Sequence, residues 1–509
     1  MAERWPARAG FGGGGPMKCT LIIPAWTPED IFPTGTAASQ INYWQPLGTL
    51  YVAASLLGAG HEVEFLDGSF LTRDELLRRV GKSKPDFVGL YSTTFGWPEA
   101  LRTAAGVKAL DRRIWTCVGG PYPTAAQEQC LEDGRGDIDA VVVGEGEATI
   151  VELLNKLGAE KDLTGVPGLI FRERGRIVHN PPRPLADDLD NLRFPARQLL
   201  AGKGRYIPAP GTYRRKPVAA VLTSRGCSRR CIFCFQMDKD RKSGAGGVRF
   251  RSIENVIEEI ELCVREGYRE IKFIDDSFAA DYDRTLRLSQ EIKRRRLGIV
   301  WFASACANQV DKPLLLAMKQ AGCWAILIGG ESGVQRNLNT IRKGATLDQI
   351  RDAVRAAKEV GLRVSVPFIF GIPRETFEDA MRTIDFAIEL DPDLANFHAL
   401  TPFPGTPLHD RAEEYGAVSD DLRDFTYQGA AFVPRSMTRD EILRARQLAF
   451  QRFYSRPLFL AHRLATIRSW QDCKTAVMGL RSLLWLRADR TLFQEKAAAP
   501  GAPAEDRSA

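Results

Sequence analysis

The stretch Cys227-Ser-Arg-Arg-Cys231-Ile-Phe-Cys234 decides the fold, because it places three thiols within eight consecutive residues. The apolar run before it, Pro217–Leu222, predicts a buried strand, and Gly226 lets the backbone turn sharply between that strand and the thiols. Cysteine thiolates hold iron–sulfur clusters, usually four to a four-iron cube. No fourth cysteine is near in sequence, so a cube on these three thiolates would keep one iron open to bind and activate a small molecule.

Two other interpretations are compatible with three clustered thiols: a structural zinc site and buried, reduced cysteines. Zinc takes four ligands, commonly from two Cys-x2-Cys arms. The sequence holds no second arm of this kind. The spacing and the preceding strand therefore favour the iron–sulfur interpretation.

Length and composition indicate a protein of several domains. Its 509 residues suffice for about three domains. The contents of 44% hydrophobic and 26% charged residues are those of a soluble globular protein. A formal net charge of +7 is small for this length and predicts no dedicated nucleic-acid binding. Ten cysteines, three of them clustered, indicate a metal site in a reducing compartment, so we predict a cytoplasmic location.

Short apolar strands alternate with helices in residues 17–165, the first predicted domain. This alternation predicts an α/β domain with a doubly wound parallel sheet, flavodoxin-like or Rossmann-like. Ligands of such sheets bind beyond the carboxyl ends of the strands. The predicted strand-end loops are Ser92–Thr94, Gly119–Thr124 and the stretch from Gly144 to Thr149.

Six strand–helix units are predicted in residues 216–410, after a linker over residues 166–215 that opens with a hairpin at 169–178. Six units give a partial parallel (β/α)6 barrel with its chemistry at the carboxyl ends of the strands. Asp275, Asp276, Glu331 and Gly371 follow predicted strands, and His398 borders the expected substrate opening.

The remaining segments are predicted to be helical or disordered. Residues 411–490 are predicted to be mostly helices, among them an amphipathic helix at 441–456. Residues 458–490 mix Leu, Trp and Phe with spaced basic residues, which allows weak contact with a membrane surface or lipid, although a helical cap over the barrel is favoured. Residues 1–16, which lack the apolar core of a signal peptide, and 491–509 are predicted to be disordered. No uncharged apolar run of about 18 residues predicts a transmembrane helix.

The Cys-x3-Cys-x2-Cys spacing resembles the signature of the radical S-adenosylmethionine (SAM) enzymes, with Phe233 matching the aromatic residue near the adenine. The glycines of Val-Gly-Gly-Pro121-Tyr-Pro-Thr124 and Gly-Glu-Gly-Glu147, together with Pro46-Leu-Gly48, resemble the cobalamin-binding domain that precedes the barrel in cobalamin-dependent members. A dinucleotide-binding or generic flavodoxin-like domain is the alternative. Because no Gly-x-Gly-x-x-Gly follows the first strand, cobalamin is favoured.

The resemblance, which covers about residues 17–410, implies a role for each matching residue. Cys227, Cys231 and Cys234 would hold a 4Fe–4S cluster. The predicted SAM contacts are Phe233, Asp275, Asp276, Glu331 and Gly371. The predicted cobalamin contacts are Pro46, Leu47, Gly48, Ser92, Thr93, Thr94, Gly119, Gly120, Pro121, Thr124, Gly144, Glu145, Gly146 and Glu147.

Two departures from the family pattern stand beside these matches. The other cobalamin pattern, Asp-x-His-x-x-Gly, is absent, so no histidine of this domain is expected to ligate cobalt from below. Asn308 and Gln309 stand where family members often carry a basic residue near the end of the third strand, which puts SAM carboxylate contacts there in doubt.

The chemistry implied by the resemblance is C-methylation. SAM would be split to a 5′-deoxyadenosyl radical, and methylcobalamin would then methylate an unactivated carbon of a small, natural-product-like molecule. An external electron donor of the flavodoxin or ferredoxin type would be needed. Oxidative cyclisation or ring rearrangement with the same cofactors is a second hypothesis. A non-catalytic cobalamin or iron–sulfur sensor is a third, against which the intact barrel and the full thiol set argue.

Overall fold

Two α/β units follow each other along the chain. The computed structural model describes residues 15–31, 43–159, 162–209, 211–237, 247–457 and 459–461, with residues 477 and 481 in addition. Each unit is built on its own, largely parallel sheet.

The first unit contains a seven-stranded sheet in the order β2-β1-β3-β4-β5-β6-β7. Its strands are β1 (Lys18–Ile23), β2 (Glu62–Asp67), β3 (Phe87–Tyr91), β4 (Trp115–Gly119), β5 (Ala140–Val142), β6 (Leu169–Glu173) and β7 (Arg176–His179). Its helices are α1 (Pro28–Ile31), α2 (Leu47–Gly58), α3 (Arg73–Ser83), α4 (Trp97–Leu110), α5 (Pro121–Ala126), α6 (Gln129–Asp133) and α7 (Gly146–Gly158). The parallel pairing of β1 to β5 confirms the doubly wound prediction.

Apolar residues cover both faces of this sheet. Along β1, Cys19 and Leu21 pack into one buried cluster, and Ile22 packs into the cluster on the opposite face. This alternation follows from the two-residue period of a strand. The hairpin predicted at the start of the linker forms as β6 and β7, and β6 pairs antiparallel with β5, so it extends the sheet beyond residue 165.

The second unit is a six-stranded, fully parallel sheet in the order β15-β14-β13-β12-β11-β8, which confirms the partial barrel. Its strands are β8 (Val218–Val221), β11 (Glu270–Phe273), β12 (Val300–Ala305), β13 (Cys323–Ile328), β14 (Arg363–Phe370) and β15 (Leu394–Ala399). A small ladder joins β9 (Ser224–Arg225) to β10 (Arg249–Phe250). The helices are α8 (Ile253–Arg265), α9 (Tyr282–Arg295), α10 (Lys312–Gln320), α11 (Gln335–Thr340), α12 (Leu347–Glu359) and α13 (Phe377–Leu390).

A buried polar network joins the two units. Gln45, just before α2, donates from Nε2 to the Tyr268 hydroxyl (2.9 Å) and accepts from the Ala220 amide (3.1 Å). Arg197, from the segment between the units, is paired with Glu259 at 2.5 Å. Buried polar groups of this kind are costly unless each has a partner. The network therefore fixes how the first sheet meets the barrel.

The C-terminal region departs from its prediction of mostly helices. A short helix, α14 (Ala412–Tyr415), leads into antiparallel strands β16 (Gly416–Val418) and β17 (Phe432–Pro434), so the helical prediction was wrong for residues 416–434. Three-residue strands are too short to show a period in the sequence. Helix α15 (Arg439–Tyr454) confirms the predicted amphipathic helix and packs on α13 and β15.

Several predictions fall outside the described residues. These are the disordered ends at residues 1–14 and 491–509 and nearly all of the predicted helical segment 462–490. Within the described part of the chain, the search for a helix long and apolar enough to cross a membrane finds none.

Candidate active site

The cysteine loop, residues 222–237, begins where β8 ends, and a buried carboxylate holds its first turn. Asp275 Oδ1 accepts hydrogen bonds from Thr223 N (3.0 Å), Thr223 Oγ1 (2.7 Å) and Ser224 Oγ (2.6 Å). Burial raises the pKa of Asp275. Gly226 follows at φ +92°, where a side chain would overlap the backbone of residue 247. Asp275, predicted as a SAM contact, thus lies beneath the loop and shapes it.

Two backbone hydrogen bonds tie the outer side of this loop to the barrel. Ile232 N donates to the Ile341 carbonyl (3.1 Å), and Leu408 N donates to the Ile232 carbonyl (2.9 Å).

The three thiols of the loop differ in pKa. A hydrogen bond between Cys231 and Cys234 lowers the pKa of Cys231 and raises that of Cys234. Burial raises the pKa of Cys227 to about 11.

A cavity of about 430 Å³ lies over the cysteine loop at the carboxyl ends of the barrel strands. All three thiols line it, together with three predicted SAM contacts: Phe233, Asp276 and Glu331. The rest of the wall is mostly apolar and aromatic and includes Phe235, Ile369, His398, Phe403 and Tyr427. Burial and the Asp275 carboxylate raise the pKa of Asp276. Asp275 and Gly371 do not belong to the lining.

The Glu331 carboxylate is paired with Lys343, a residue that the sequence analysis missed. Lys343 Nζ lies 2.6 Å from Glu331 Oε1, and the two side chains are 8% and 9% exposed. Although burial opposes the charged ammonium, Glu331 holds the pKa of Lys343 above its ordinary value. A side chain at Gly329 would come within 2.5 Å of Glu331 Oε1, which explains the first glycine of Gly-Gly-Glu331.

The remaining barrel predictions lie around this cavity. Gly371 adopts φ +85° in a loop that the buried Glu375 closes by accepting hydrogen bonds from the amides of Gly371 (2.6 Å) and Ile372 (3.0 Å). The two residues of the family departure contact the cysteine loop. Asn308 Oδ1 accepts from Arg229 (2.7 Å), and Gln309 Nε2 donates to Ser228 (3.1 Å).

The predicted cobalamin loops of the first unit converge at the ends of its strands. Ser92 N donates to the Gly119 carbonyl (2.9 Å), and Gly144 N donates to Thr124 Oγ1 (3.1 Å). Gly120 is at φ +111°, and a Cβ there would lie 2.8 Å from the Ser92 carbonyl oxygen. The structure thus brings together residues from three separate strand ends.

The space beside the glycines of the predicted cobalamin loops shows whether the large flat ring of cobalamin can fit there. A Cβ at Gly48 or at Gly144 would have no heavy atom within 4 Å, so both glycines border open space. At Gly405 of the barrel, a Cβ would lie 2.8 Å from the Phe235 ring and 3.0 Å from the Ala125 side chain. The cysteine loop, the loop after β15 and helix α5 therefore meet. The three thiols suit the predicted iron–sulfur cluster, and the open space beside Gly48 and Gly144, which we call the glycine cradle, suits the predicted cobalamin.

Glu145 and Glu147, predicted as cobalamin contacts, direct their carboxylates to arginines of the barrel. Glu147 Oε1 lies 2.5 Å from Arg225 Nη2, and Glu145 Oε1 lies 2.9 Å from Arg225 Nη1 and 2.7 Å from Arg249 Nη2. Partners more than 70 residues away leave no local pattern, and sequence analysis could not have found them.

Within the described part of the chain, the three thiols do not form the compact donor set of a single metal ion. Among the residues that the structure describes, no group of three or more His, Cys, Asp or Glu side chains is placed to hold a metal ion. In a cube, each thiolate binds its own iron, so the thiols need not converge on one point. The three thiols facing one cavity are compatible with this arrangement.

Fold and site together define a two-domain α/β protein in which three clustered thiols face a cavity at the carboxyl ends of the barrel strands. Residues 221–387 match the Radical SAM superfamily, and residues 34–154 match the B12 binding domain. The chain is 35% identical over 454 residues to an uncharacterised methyltransferase of Pyrococcus horikoshii, covering 87% of this chain and 94% of that one. The chain belongs to the cobalamin-dependent radical SAM enzymes, whose cofactors are a 4Fe–4S cluster, SAM and cobalamin.

Two further similarities bear on the activity and the fold. An anaerobic magnesium-protoporphyrin IX monomethyl ester cyclase of Rubrivivax gelatinosus is 28% identical over 436 residues, covering 82% of this chain and 75% of the cyclase. The radical SAM methyltransferase TsrM of Kitasatospora setae, solved with cobalamin and a 4Fe–4S cluster, superimposes with a TM-score of 0.64 at 19% identity, over 93% of this chain and 99% of TsrM. The latter likeness concerns the fold alone.

Proposed function

We propose that this protein is a methyltransferase that methylates an unactivated carbon of a small molecule. The observation that carries the proposal is the contact between the three-thiol loop and helix α5 of the first domain, where a Cβ at Gly405 would meet both the Phe235 ring and the Ala125 side chain. The P. horikoshii relative, named a methyltransferase, supports it. When bound, the cluster and SAM supply a radical that removes a hydrogen atom, and cobalamin supplies the methyl group.

The chain's own residues would bind, orient and shield the reactants. Cys227, Cys231 and Cys234 would hold the cluster, and the carboxyl groups of Asp276 and Glu331 face the cavity, where their oxygens can accept hydrogen bonds from the ammonium group of SAM. The aromatic side chains of the wall would shield a bound substrate from water. Burial and the nearby Arg446 hold the pKa of His398 at about 4, so its imidazole is neutral at pH 7. A neutral imidazole offers the substrate a hydrogen bond without a charge.

Oxidative cyclisation is a second candidate, because the R. gelatinosus cyclase matches over most of this chain. The two outcomes differ in the fate of the methyl group of SAM. Methyl-labelled SAM would label the product of a methyltransferase and would leave the product of a cyclase unlabelled.

We also propose an acidic electron carrier of the flavodoxin or ferredoxin type as the partner that reduces the cluster. Arg230 and Arg342 are exposed beside the outer side of the cysteine loop, and neither has an ion-pair partner among the described residues. Exposed charge of this kind steers an oppositely charged partner. The cytoplasm remains the predicted location, supported by the nine described cysteines, which are all free thiols.

Replacing each cysteine of the loop by alanine tests the proposal. In anaerobically reconstituted protein, Cys227→Ala, Cys231→Ala and Cys234→Ala should each abolish reductive cleavage of SAM, because three thiolates are the minimum set for the cluster. Cobalamin should still bind to the first domain of each variant. Cys19→Ala, in the core of that domain, is the matched control and should cleave SAM normally. Full cleavage in the triple variant would refute the assignment.

A further inference from the structure

Four charged side chains bridge the two cofactor loops. Arg225 belongs to β9 and stands two residues before Cys227, and Arg249 lies directly opposite it in β10. Glu145 and Glu147 open helix α7, immediately after Gly144. Arg225 contacts both carboxylates, at 2.9 Å and 2.5 Å, and Arg249 reaches Glu145 at 2.7 Å.

This group is buried and its charges balance. The side chains of Arg225, Arg249, Glu145 and Glu147 are 15%, 7%, 8% and 11% exposed. Burial alone would raise the pKa of Glu145, but Arg249, Arg225 and the Ala186 amide hold it below its ordinary value. Removing one member of a buried charge group leaves its partner uncompensated, so each charge fixes the position of the others.

Each end of the group is attached directly to a cofactor loop. On the first domain, Gly144 borders open space and its amide is held by Thr124 Oγ1 at 3.1 Å. On the barrel, Gly226 lies between Arg225 and Cys227, and the Cys227 thiol lines the cavity. No side chain fits at Gly226, so the backbone between Arg225 and the first thiol has little freedom to adjust.

We propose that Arg225 is a positioning residue that couples the cobalamin loop, residues 144–147, to the cysteine loop. Because the ion-pair group links the two loops rigidly, a cofactor that draws its own loop into the bound position moves the other loop with it and thereby favours the bound geometry of the other site. Coupling between sites is reciprocal, so the cluster and cobalamin raise each other's affinity by the same factor. The inference rests on the proposed function only through the positions of the two cofactors, and it does not depend on which reaction they perform.

The test measures the affinity of the full-length protein for hydroxocobalamin, by ultrafiltration, with and without a reconstituted cluster. In the wild type, cluster loading should tighten cobalamin binding about tenfold, within the usual range of site-to-site coupling. In Arg225→Gln this ratio should approach one, although both groups still bind. Glu147→Gln removes the partner charge of Arg225 on the other domain and should lower the ratio as well. Arg225→Lys keeps the positive charge and should keep part of the tightening.

Tyr268→Phe is the matched control, because it removes a 2.9 Å hydrogen bond between the domains that lies outside both cofactor loops. It should lower thermal stability and leave the ratio unchanged. The electron paramagnetic resonance spectrum of the reduced cluster should shift on adding cobalamin in the wild type and in Tyr268→Phe, but not in Arg225→Gln.

A wild-type ratio of one would overturn the inference, as would an Arg225→Gln variant with the wild-type ratio. An equal loss in Tyr268→Phe would mean that general domain packing, and not Arg225, carries the coupling. A failed methyl-transfer assay leaves these binding ratios unaffected, so the two proposals fail separately.

Discussion

Replacing Lys343 by methionine should destabilise the cofactor-free protein strongly at pH 7 and weakly at pH 5. The ammonium lies 2.6 Å from Glu331 Oε1, and both side chains are more than nine-tenths buried. Removing one partner of a buried pair costs about 3–5 kcal/mol, because the remaining charge is uncompensated. Glu331 can escape that cost by taking up a proton, which for an ordinary glutamate at pH 7 requires about 4 kcal/mol. The expected loss of unfolding free energy at pH 7 is therefore about 3–4 kcal/mol.

The pH dependence of this stability loss follows from the uptake of a proton by the carboxylate. In Lys343→Met, folding buries a carboxylate without a partner, and a proton taken up on folding removes that charge, so the stability of the variant falls as the pH rises. The loss relative to wild type should therefore shrink to about 1 kcal/mol at pH 5, where protonating a glutamate costs little. Urea titration of both proteins at both pH values, followed by circular dichroism and tryptophan fluorescence, measures the difference.

The double variant Glu331→Gln/Lys343→Met should recover much of the stability, since no unpaired charge is left. Lys312→Met is the matched control, because its partner Glu359 lies at a similar 2.7 Å but the pair is exposed, and its stability should stay close to wild type. A loss that is the same at pH 5 and pH 7, or a Lys343→Met loss no larger than that of Lys312→Met, would refute the argument.

Two other predictions concern the histidine of the cavity and the glycine cradle. His398, with a pKa of about 4, binds fewer protons than its unfolded form between pH 4 and 6.5, so stability falls as the pH drops through this window. Between pH 7 and pH 5, the free energy of unfolding should fall by about 2 kcal/mol less in His398→Gln than in the wild type. The same pH dependence of urea unfolding in both proteins would contradict this. Gly48→Ala should raise the melting temperature by improving helix α2 yet weaken hydroxocobalamin binding about tenfold or more, because the new methyl group enters the open cradle. Gly81→Ala, in α3, should share the stabilisation and bind cobalamin normally.

The parts of this fold that the sequence predicted are those set by local patterns. The alternation of apolar runs with helices predicted both main sheets, and the three thiols stand within one loop. Strands β16 and β17 were missed because they form a short antiparallel ladder outside that alternation, which is the pattern that revealed the equally short β5. The sequence analysis did not predict Lys343 as a site residue, because its partner Glu331 lies 12 residues away across a turn. At that separation, residue spacing does not indicate which side chains meet.

The candidate site shows the same limit at the level of single residues. Glu145 and Glu147 were correctly placed at a strand end, but their position did not reveal what their carboxylates touch. Their partners, Arg225 and Arg249, are supplied by the other domain. Contacts across a domain boundary depend on how two finished surfaces dock, and a pattern within either segment cannot encode that geometry.

The glycines near the proposed cofactor sites have different physical causes, and these point to different functions. At Gly329 and Gly120, a side chain would collide with the protein itself: with the Glu331 carboxylate, 2.5 Å away, and with the Ser92 carbonyl, 2.8 Å away. At Gly48 and Gly144, the same atom would meet nothing within 4 Å. The first pair is explained by the protein's own contacts whether or not a ligand binds. Gly144 is at φ +85°, which favours glycine without any ligand, so the cobalamin assignment depends on Gly48 more than on the other three positions.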